Sequence, residues 1–320
     1  MNKEKVIKKY FHKVNQLTIK NGKYKKLLDE LIEFLLNTDE VKKDLTTKSL
    51  RIKKTHTSKA VIISKEDIIV AGIEEGIYLL KKHTHLKYKV FCKDGTKVKA
   101  GQSIMELYGA TREILAYERV FLNILQRFLG IATVTNLLVT KIENQKEKSF
   151  IAATRKTNWG LLDKKAVAMG GGLTHRLSLS DGVLVKDNHL LLLKERFHFR
   201  SEEEIVSKAL EILLKNTKNI LIEIEVEKKE SISVLIEKFT ANKTSNVLGI
   251  LLDNFSPKDA KVILKEIKQK YDTSPIIFEA SGGITKDNIL EWAQAGVDVI
   301  SLGALTHSAK AADISLDLLQ

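Results

Sequence analysis

Residues 154–189 read TRKTNWGLLDKKAVAMGGGLTHRLSLSDGVLVKDNH, and the order of apolar runs, helical period and glycine in this stretch decides the fold class. The apolar run Phe150–Thr154 leads into it and reads as a strand that stops at Arg155. Leu161, Leu162, Ala166 and Met169 recur near helical spacing, and Gly170, Gly171 and Gly172 end that helix. Val183–Val185 is a second apolar run, with Lys186 at its C-terminal end. The whole chain has 8 Arg against 45 Lys. Two of those Arg stand here, Arg155 beside Lys156 and Arg176 beside His175. The planar fork of Arg grips a carboxylate or phosphate through two parallel hydrogen bonds. Cations at the C-terminal ends of parallel strands are what an α/β barrel offers an anionic substrate. One basic pair beside a glycine cap would read as solvated loop. Three cationic groups in one strand–helix unit read as a site.

The alternation continues toward the C-terminus. Apolar runs at Ile220–Val226, Val247–Asp253, Ile276–Glu279 and Val299–Leu302 join Phe150–Thr154 and Val183–Lys186 as strands. Helices are expected over 202–215, 229–239, 257–270 and 285–295. Strands separated by helices predict a parallel sheet, and six of them predict an incomplete barrel. The proposed strands end on Arg155, Lys186, Glu225, Asp253, Glu279-Ala280-Ser281 and Gly303. Glu223 and Glu225 lie two apart, so both point to one side of their strand. A carboxylate inside a barrel is costly unless paired or bound to a cation. An ion pair with a barrel Lys and a metal site both remain open on this count, with Glu223 as the substitute if the strand register differs. Ser281-Gly282-Gly283 and Ser301-Leu302-Gly303-Ala304 follow the last two strands. Loops at that place commonly bind phosphate through backbone N–H groups, and glycine permits the close approach.

Upstream the pattern is different. Residues 1–43 are Lys-rich, and Leu27, Leu28, Leu31, Ile32, Leu35 and Leu36 make Lys23–Leu36 an amphipathic helix. Strands are expected at Ala60–Ile63, Ile68–Val70, Tyr88–Cys92 and Ser103–Tyr108, with a helix over Glu74–Lys82 and a turn at Asp94-Gly95. Mixed strands around a helix predict an α/β sandwich. Two helices, Thr111–Phe128 and Ala132–Glu143, then lead to the barrel. The expected organisation is a helical extension over 1–43, a sandwich with its connecting helix over 44–130, and a barrel over 131–320.

Composition sets limits. A chain of 320 residues with 43% hydrophobic content can bury a sizeable core. The net charge of +13 favours an anionic partner. Nucleic acid is not expected, because aromatic residues make up 6% and no nucleic-acid-binding signature is present. The lone Cys92 excludes an intramolecular disulfide and fits a reducing compartment. No secretory signal and no apolar run near the roughly 20 residues of a membrane span is read, so a cytoplasmic protein is expected. No His/Cys group has zinc spacing, and no nucleophile elbow is present.

The motifs TRKT at 154–157, GGG-x-x-HR at 170–176 and LVKDNH at 184–189 together resemble those of the quinolinate phosphoribosyltransferases. Asp44-Leu45-Thr46-Thr47 resembles that family's early Asp-x-Thr-Thr, and AYERVFLNILQRFLGIAT at 116–133 its helix with Glu-Arg-x-x-Leu-Asn. The resemblance runs from about Asp44 to Asp313. It implies that quinolinate and phosphoribosyl pyrophosphate give nicotinate mononucleotide, pyrophosphate and CO₂. By the same resemblance, Arg119, Arg155, His175 and Arg176 answer the carboxylates of quinolinate. Lys156, Lys186, Glu225 and Asp253 are the implied catalytic residues, the two acids lying near the ribose and an indirectly held Mg²⁺. Ser281, Gly282, Gly283, Ser301, Gly303, Ala304 and His307 are the implied 5-phosphate site. A homodimer or higher oligomer is implied, with Arg119 reaching the neighbouring subunit's site. Trp159 stands where the family usually has Pro, and Ala153 where it often has an acid, so reaction class is better defined than substrate. The rival readings are a paralogue associated with molybdate transport and a noncatalytic polyanion-binding protein. The intact KDNH at 186–189 argues against the first, and the acids Glu225 and Asp253 inside a barrel argue against the second.

Overall fold

The computed structural model describes residues 2–145 and 148–319. Its strands are β1 (Thr57–Ser64), β2 (Ile68–Ile69), β3 (Lys87–Val90), β4 (Lys97–Val98), β5 (Ser103–Ala110), β6 (Phe150–Ala153), β7 (Val183–Val185), β8 (Leu221–Val226), β9 (Val247–Leu252), β10 (Ile276–Ser281), β11 (Val299–Leu302) and β12 (Ile314–Leu319). Two compact units share the chain. One takes residues 1–13, 138–155 and 173–303, and the other takes 14–137, 156–172 and 304–320. Each unit gathers segments from distant parts of the sequence.

In the first unit six strands form one sheet in the order β6-β11-β10-β9-β8-β7. All its pairings are parallel, as expected of the incomplete barrel. Helices Glu202–Asn216, Lys229–Thr240 and Pro257–Lys270 make the crossovers. Ser201 starts the first with a capping box to Glu204, and Ser256 caps the third with Pro257 in its first turn. The helix expected over 285–295 is shorter, Ile289–Gln294, and a helix not anticipated from the sequence runs from Asp187 to Phe197. β6 and β7 follow each other in sequence but occupy opposite edges of the sheet. The seam is partly taken by Leu173, which bridges in parallel to Ala152 of β6.

The register fixes one shared face. Glu223 lies beside Leu184 and Gly249, Glu279 beside Leu251 and Val299, and Ser301 beside Ser281 and Ala152. At the N-terminal ends of the strands this face is apolar. There Leu221, Val247, Ile277 and Val299 form a buried cluster with Val6, Ile7 and Phe11 of the helix Lys3–Phe11.

The second unit holds an antiparallel sheet in the order β12-β1-β5-β3 and a small β2-β4 pair. Helix Gly22–Thr38 buries Tyr24, Leu28 and Ile32, and the Tyr24 hydroxyl donates to Glu75 Oε1 at 2.6 Å. Asp44 of the Asp-x-Thr-Thr motif caps helix Leu45–Ser49, its carboxylate accepting from Thr47 N. β12 pairs with β1 and not with the parallel strands, so the C-terminal residues belong to this sheet.

Two helices expected from 111 to 143 are a single helix, Thr111–Glu143. By length and apolar content it could cross a membrane, contrary to the expectation from the sequence, but more than half of its apolar window is buried in protein. Phe128 packs against Gly72, and Phe121 against Gly76. Gly130 does not interrupt this helix. A Cβ built there would stand 2.0 Å from the Lys310 carbonyl oxygen, so glycine is present to let another backbone pass. In an ordinary helix interior Gly→Ala stabilises by roughly 0.5–1 kcal/mol. Here Gly130→Ala should instead destabilise by about 1–3 kcal/mol, the cost of overpacking. Urea unfolding of wild type and Gly130→Ala reads the sign directly, and a raised midpoint would contradict the close approach.

Candidate functional site

The C-terminal ends of β7–β10 bring together four of the residues expected there. Lys186 follows β7 and serves as the N-cap of Asp187–Phe197. Its Nζ donates to Glu225 Oε2 at 3.2 Å. Burial pushes the Glu225 carboxyl up, Lys186 opposes this, and nearby Asp253 adds to it. Asp253 follows β9, and a Cβ at Gly282, after β10, would lie 3.2 Å from Asp253 Oδ1. Gly282 has φ +93 and Gly283 φ +59, a left-handed pair that a side chain would strain. Two carboxylates on neighbouring strand ends, one destabilised by burial, form an all-oxygen donor set. That set fits a hard cation such as Mg²⁺ with water and phosphate completing its shell.

Below this level lies a buried charge cluster. His175 Nε2 sits 3.1 Å from Glu223 Oε2 and 3.5 Å from Glu279 Oε2. Burial alone would push His175 down, but the two carboxylates hold it up to about 10. Burial raises Glu223 to about 8, with His175 opposing and Glu279 reinforcing. Burial also acts to raise Glu279, yet His175 pulls it down to about 2. The imidazole between the two carboxylates supplies the opposite charge that a low-dielectric interior requires of buried acids. The three ligand-capable atoms lie within 4.8 Å of one another. His175 Nε2 is hydrogen-bonded to Glu223 Oε1 at 3.1 Å, while Glu223 Oε2 and Glu279 Oε2 are buried without a hydrogen-bond partner among the described residues. Glu223 therefore faces His175, away from the role of substitute for Glu225. The space it needs comes from Gly249, where a Cβ would stand 2.7 Å from Glu223 Cγ.

Arg176 is buried beside His175. Burial and the neighbouring Arg155 charge lower its proton affinity. Arg155 is exposed at the end of β6. Ser281 and Ser301 are register partners on β10 and β11, and Gly303 follows β11. The first unit thus gathers Arg155, His175, Arg176, Lys186, Glu225, Asp253, Ser281, Gly282, Gly283, Ser301 and Gly303. Lys156, Ala304, His307 and Arg119 belong to the second unit. There the Lys156 carbonyl accepts from Thr306 Oγ1 at 2.7 Å, His307 Nδ1 lies 2.5 Å from Ser308 Oγ, and Arg119 is exposed on the long helix.

Sequence reasoning missed one pair in that unit. Arg127 grips Asp163 through Nε and Nη2 at 3.0 and 2.9 Å and donates to the Thr306 carbonyl at 2.6 Å. Asp163 Oδ2 also accepts from Asn158 N and Trp159 N at 2.8 and 3.1 Å. This pair holds the backbone just after TRKT. Its signal was an acid in the first turn of a helix, common enough to pass as helix-dipole compensation.

Two family models match most of the chain. The family model described as quinolinate phosphoribosyl transferase, N-terminal domain, matches residues 44–129. That described as the C-terminal domain of the same family matches residues 131–317. A probable nicotinate-nucleotide pyrophosphorylase [carboxylating] of Methanocaldococcus jannaschii is 40% identical over 282 residues, covering 87% of this chain and 92% of its own. The probable counterpart of Bacillus subtilis is 36% identical, covering 86% and 88%. The crystal structure of nicotinate-nucleotide pyrophosphorylase from Ehrlichia chaffeensis superposes with a TM-score of 0.74 at 34% identity, covering 91% of this chain and 98% of that one.

The buried cluster sets a pH dependence. Because His175 is raised in the folded state from 6.5 to about 10, its stabilising contribution is complete below 6.5 and is lost as pH rises through about 10. Glu279→Gln removes one of the two anions that raise it, so the alkaline loss should begin at lower pH. Thermal melts of both proteins between about pH 6 and pH 10 read this shift. Superimposable normalised curves would show that Glu279 does not set the charge of His175.

Proposed function

The chain belongs to the quinolinate phosphoribosyl transferase family, and we propose that it joins quinolinate to phosphoribosyl pyrophosphate to make nicotinate mononucleotide in NAD biosynthesis. The observation that carries this reading is the pairing, in one parallel sheet, of cations suited to a dianion with the acids Glu225 and Asp253. Arg155, His175 and Arg176 hold the two ring carboxylates, and Arg119 of a second subunit completes their neutralisation. The pyridine nitrogen attacks the anomeric carbon, the bond to pyrophosphate breaks, and the electron pair leaves with pyrophosphate. Positive charge grows on the ribose in that step, and the carboxylates of Glu225 and Asp253 stabilise it. Mg²⁺ would be held at Glu225 and Asp253, directly or through water, and would supply counter-charge for the pyrophosphate. Lys186 takes further phosphate charge, and the loops at Ser281-Gly282-Gly283 and Ser301–Gly303 receive the 5-phosphate. The 2-carboxylate then leaves as CO₂. Its bonding pair passes to the ring carbon, which takes a proton, while the cations keep the ring in place. The lone Cys92 agrees with a reducing, cytoplasmic setting.

A substrate with one carboxylate would leave part of the cationic set unanswered. Leaving a buried charge without its partner costs roughly 3–5 kcal/mol. Quinolinate should therefore exceed nicotinate by at least about a hundredfold in kcat/KM for nicotinate mononucleotide formation. Exhaustive EDTA treatment should abolish turnover, and Mg²⁺ or Mn²⁺ should restore it. Equal use of the two acids would sink the substrate assignment, and full activity in EDTA would sink the metal.

The dimer is tested separately. If each subunit lends Arg119 to its partner, Arg119→Ala and Lys186→Ala should each be nearly inactive. Subunit exchange between them should restore activity in roughly a quarter of the sites, since each mixed dimer holds one site with both defects and one with neither. No recovery, with mixed dimers verified by native mass spectrometry, would place Arg119 outside the partner's site.

A further inference from the structure

Residues 1–43 precede both family matches, which cover 44–129 and 131–317, and the first of their helices is nonetheless built into the parallel-sheet unit. Val6, Ile7 and Phe11 are 5%, 2% and 0% exposed. They meet the first inward-facing residues of β8, β9, β10 and β11 and so close the sheet's N-terminal mouth. Polar contacts fix the helix in place: Lys3 Nζ reaches Asp298 at 2.7 Å, and Lys148 Nζ reaches Glu4 at 3.0 Å.

The end of this helix holds the segment that carries His175. The Phe11 carbonyl accepts from His175 N and from Thr174 Oγ1, both at 2.9 Å. Lys13 N donates to Thr174 Oγ1 at 2.9 Å, and the Lys13 ammonium pairs with Asp181. Asp181 in turn accepts from Leu177 N at 2.8 Å. The Phe11 ring stands edge-on to the imidazole, 5.0 Å between centroids at 67°. His175 has φ +51, a left-handed conformation that a non-glycine residue keeps only when its surroundings impose it. The surroundings on the backbone side are Phe11 and Lys13, and on the imidazole nitrogen they are Glu223 and Glu279.

We propose that the helix Lys3–Phe11 is a working part of the quinolinate site, with Phe11 a positioning residue that fixes the backbone and ring of His175 from below. This rests on the reading of His175 as a carboxylate-binding group. The helix face toward the sheet supplies apolar contact, and its last turn supplies the carbonyl and ring that set His175. A segment outside the family matches then governs affinity for one of the two substrates and not the other.

Full-length Phe11→Leu tests this, because leucine refills most of the apolar space while removing the ring edge, and Phe11→Ala is the deeper cut. Both should raise the KM for quinolinate, Phe11→Leu by about tenfold, with the KM for phosphoribosyl pyrophosphate changed less than about twofold. His175→Asn is the reference. In that background Phe11→Leu should add nothing further to the quinolinate KM, because the two residues act as one unit. If His175→Asn leaves the quinolinate KM unchanged, the reading of His175 fails. If His175→Asn raises it while Phe11→Leu does not, or if the two effects multiply, the proposal is overturned. A lowered melting temperature with both KM values moving together assigns the helix a purely structural role and likewise overturns it.

Discussion

The first unit depends on one electrostatic constraint: two carboxylates, Glu223 and Glu279, lie at most 2% exposed inside a parallel sheet. Such groups cannot stay there as two free anions. His175 resolves the problem by standing between them, and its placement then dictates much of the surroundings. The chain at 173–176 must enter the seam beside β6. Gly249 must lack a side chain. The left-handed backbone of His175 must be held from outside. A buried ion cluster of this kind is weak evidence for stability and better evidence for fixing one arrangement. Here the arrangement fixed is that of an imidazole held between two carboxylates beside the buried Arg176.

The same logic changes with depth. At the strand ends, Glu225 and Lys186 are less enclosed, the Lys186 side chain being 50% exposed, so solvent and ligand can replace the partner of either. An ion pair there can open. The pair two residues deeper cannot. One strand, β8, thus carries a structural acid and an exchangeable acid at alternate positions of the same face.

Much of this was legible beforehand, and the parts that were not share a cause. Local periodicity showed β8, β9, β11 and helix Pro257–Lys270 nearly to their ends, since each is a regular run bounded by polar residues or Pro. The strand-end positions of Lys186, Glu225 and Asp253 followed from the same runs. The two helices expected at Thr111–Phe128 and Ala132–Glu143 are one; local sequence cannot tell a helix terminator from a glycine that admits another backbone, and the reason for Gly130 lies at Lys310. No strand is expected over 314–319, because nothing in ISLDLL names its partner, which lies in β1. Phe11 looked like part of a lysine-rich extension, and its meaning is set by His175. The Arg127–Asp163 pair was hidden in the same way, its two halves standing on different helices. Trp159, the departure from the family pattern, lies 5.8 Å from the Arg127 guanidinium, so it is anchored by a contact that single-sequence reasoning had no means to find.

The pairing of β12 with β1 bears on how the protein is made. β1 leaves the ribosome long before Ile314–Leu319 exist, so one edge of the antiparallel sheet waits for nearly the whole chain to be synthesised. The N-terminal helix waits as well, because the strands it covers run as late as Val299. A nascent chain in this state carries an unpaired strand edge and an uncovered apolar helix face, both of which invite association with other chains. Neither unit can complete its own packing as an early domain, and the burden falls on whatever shields the chain until translation ends.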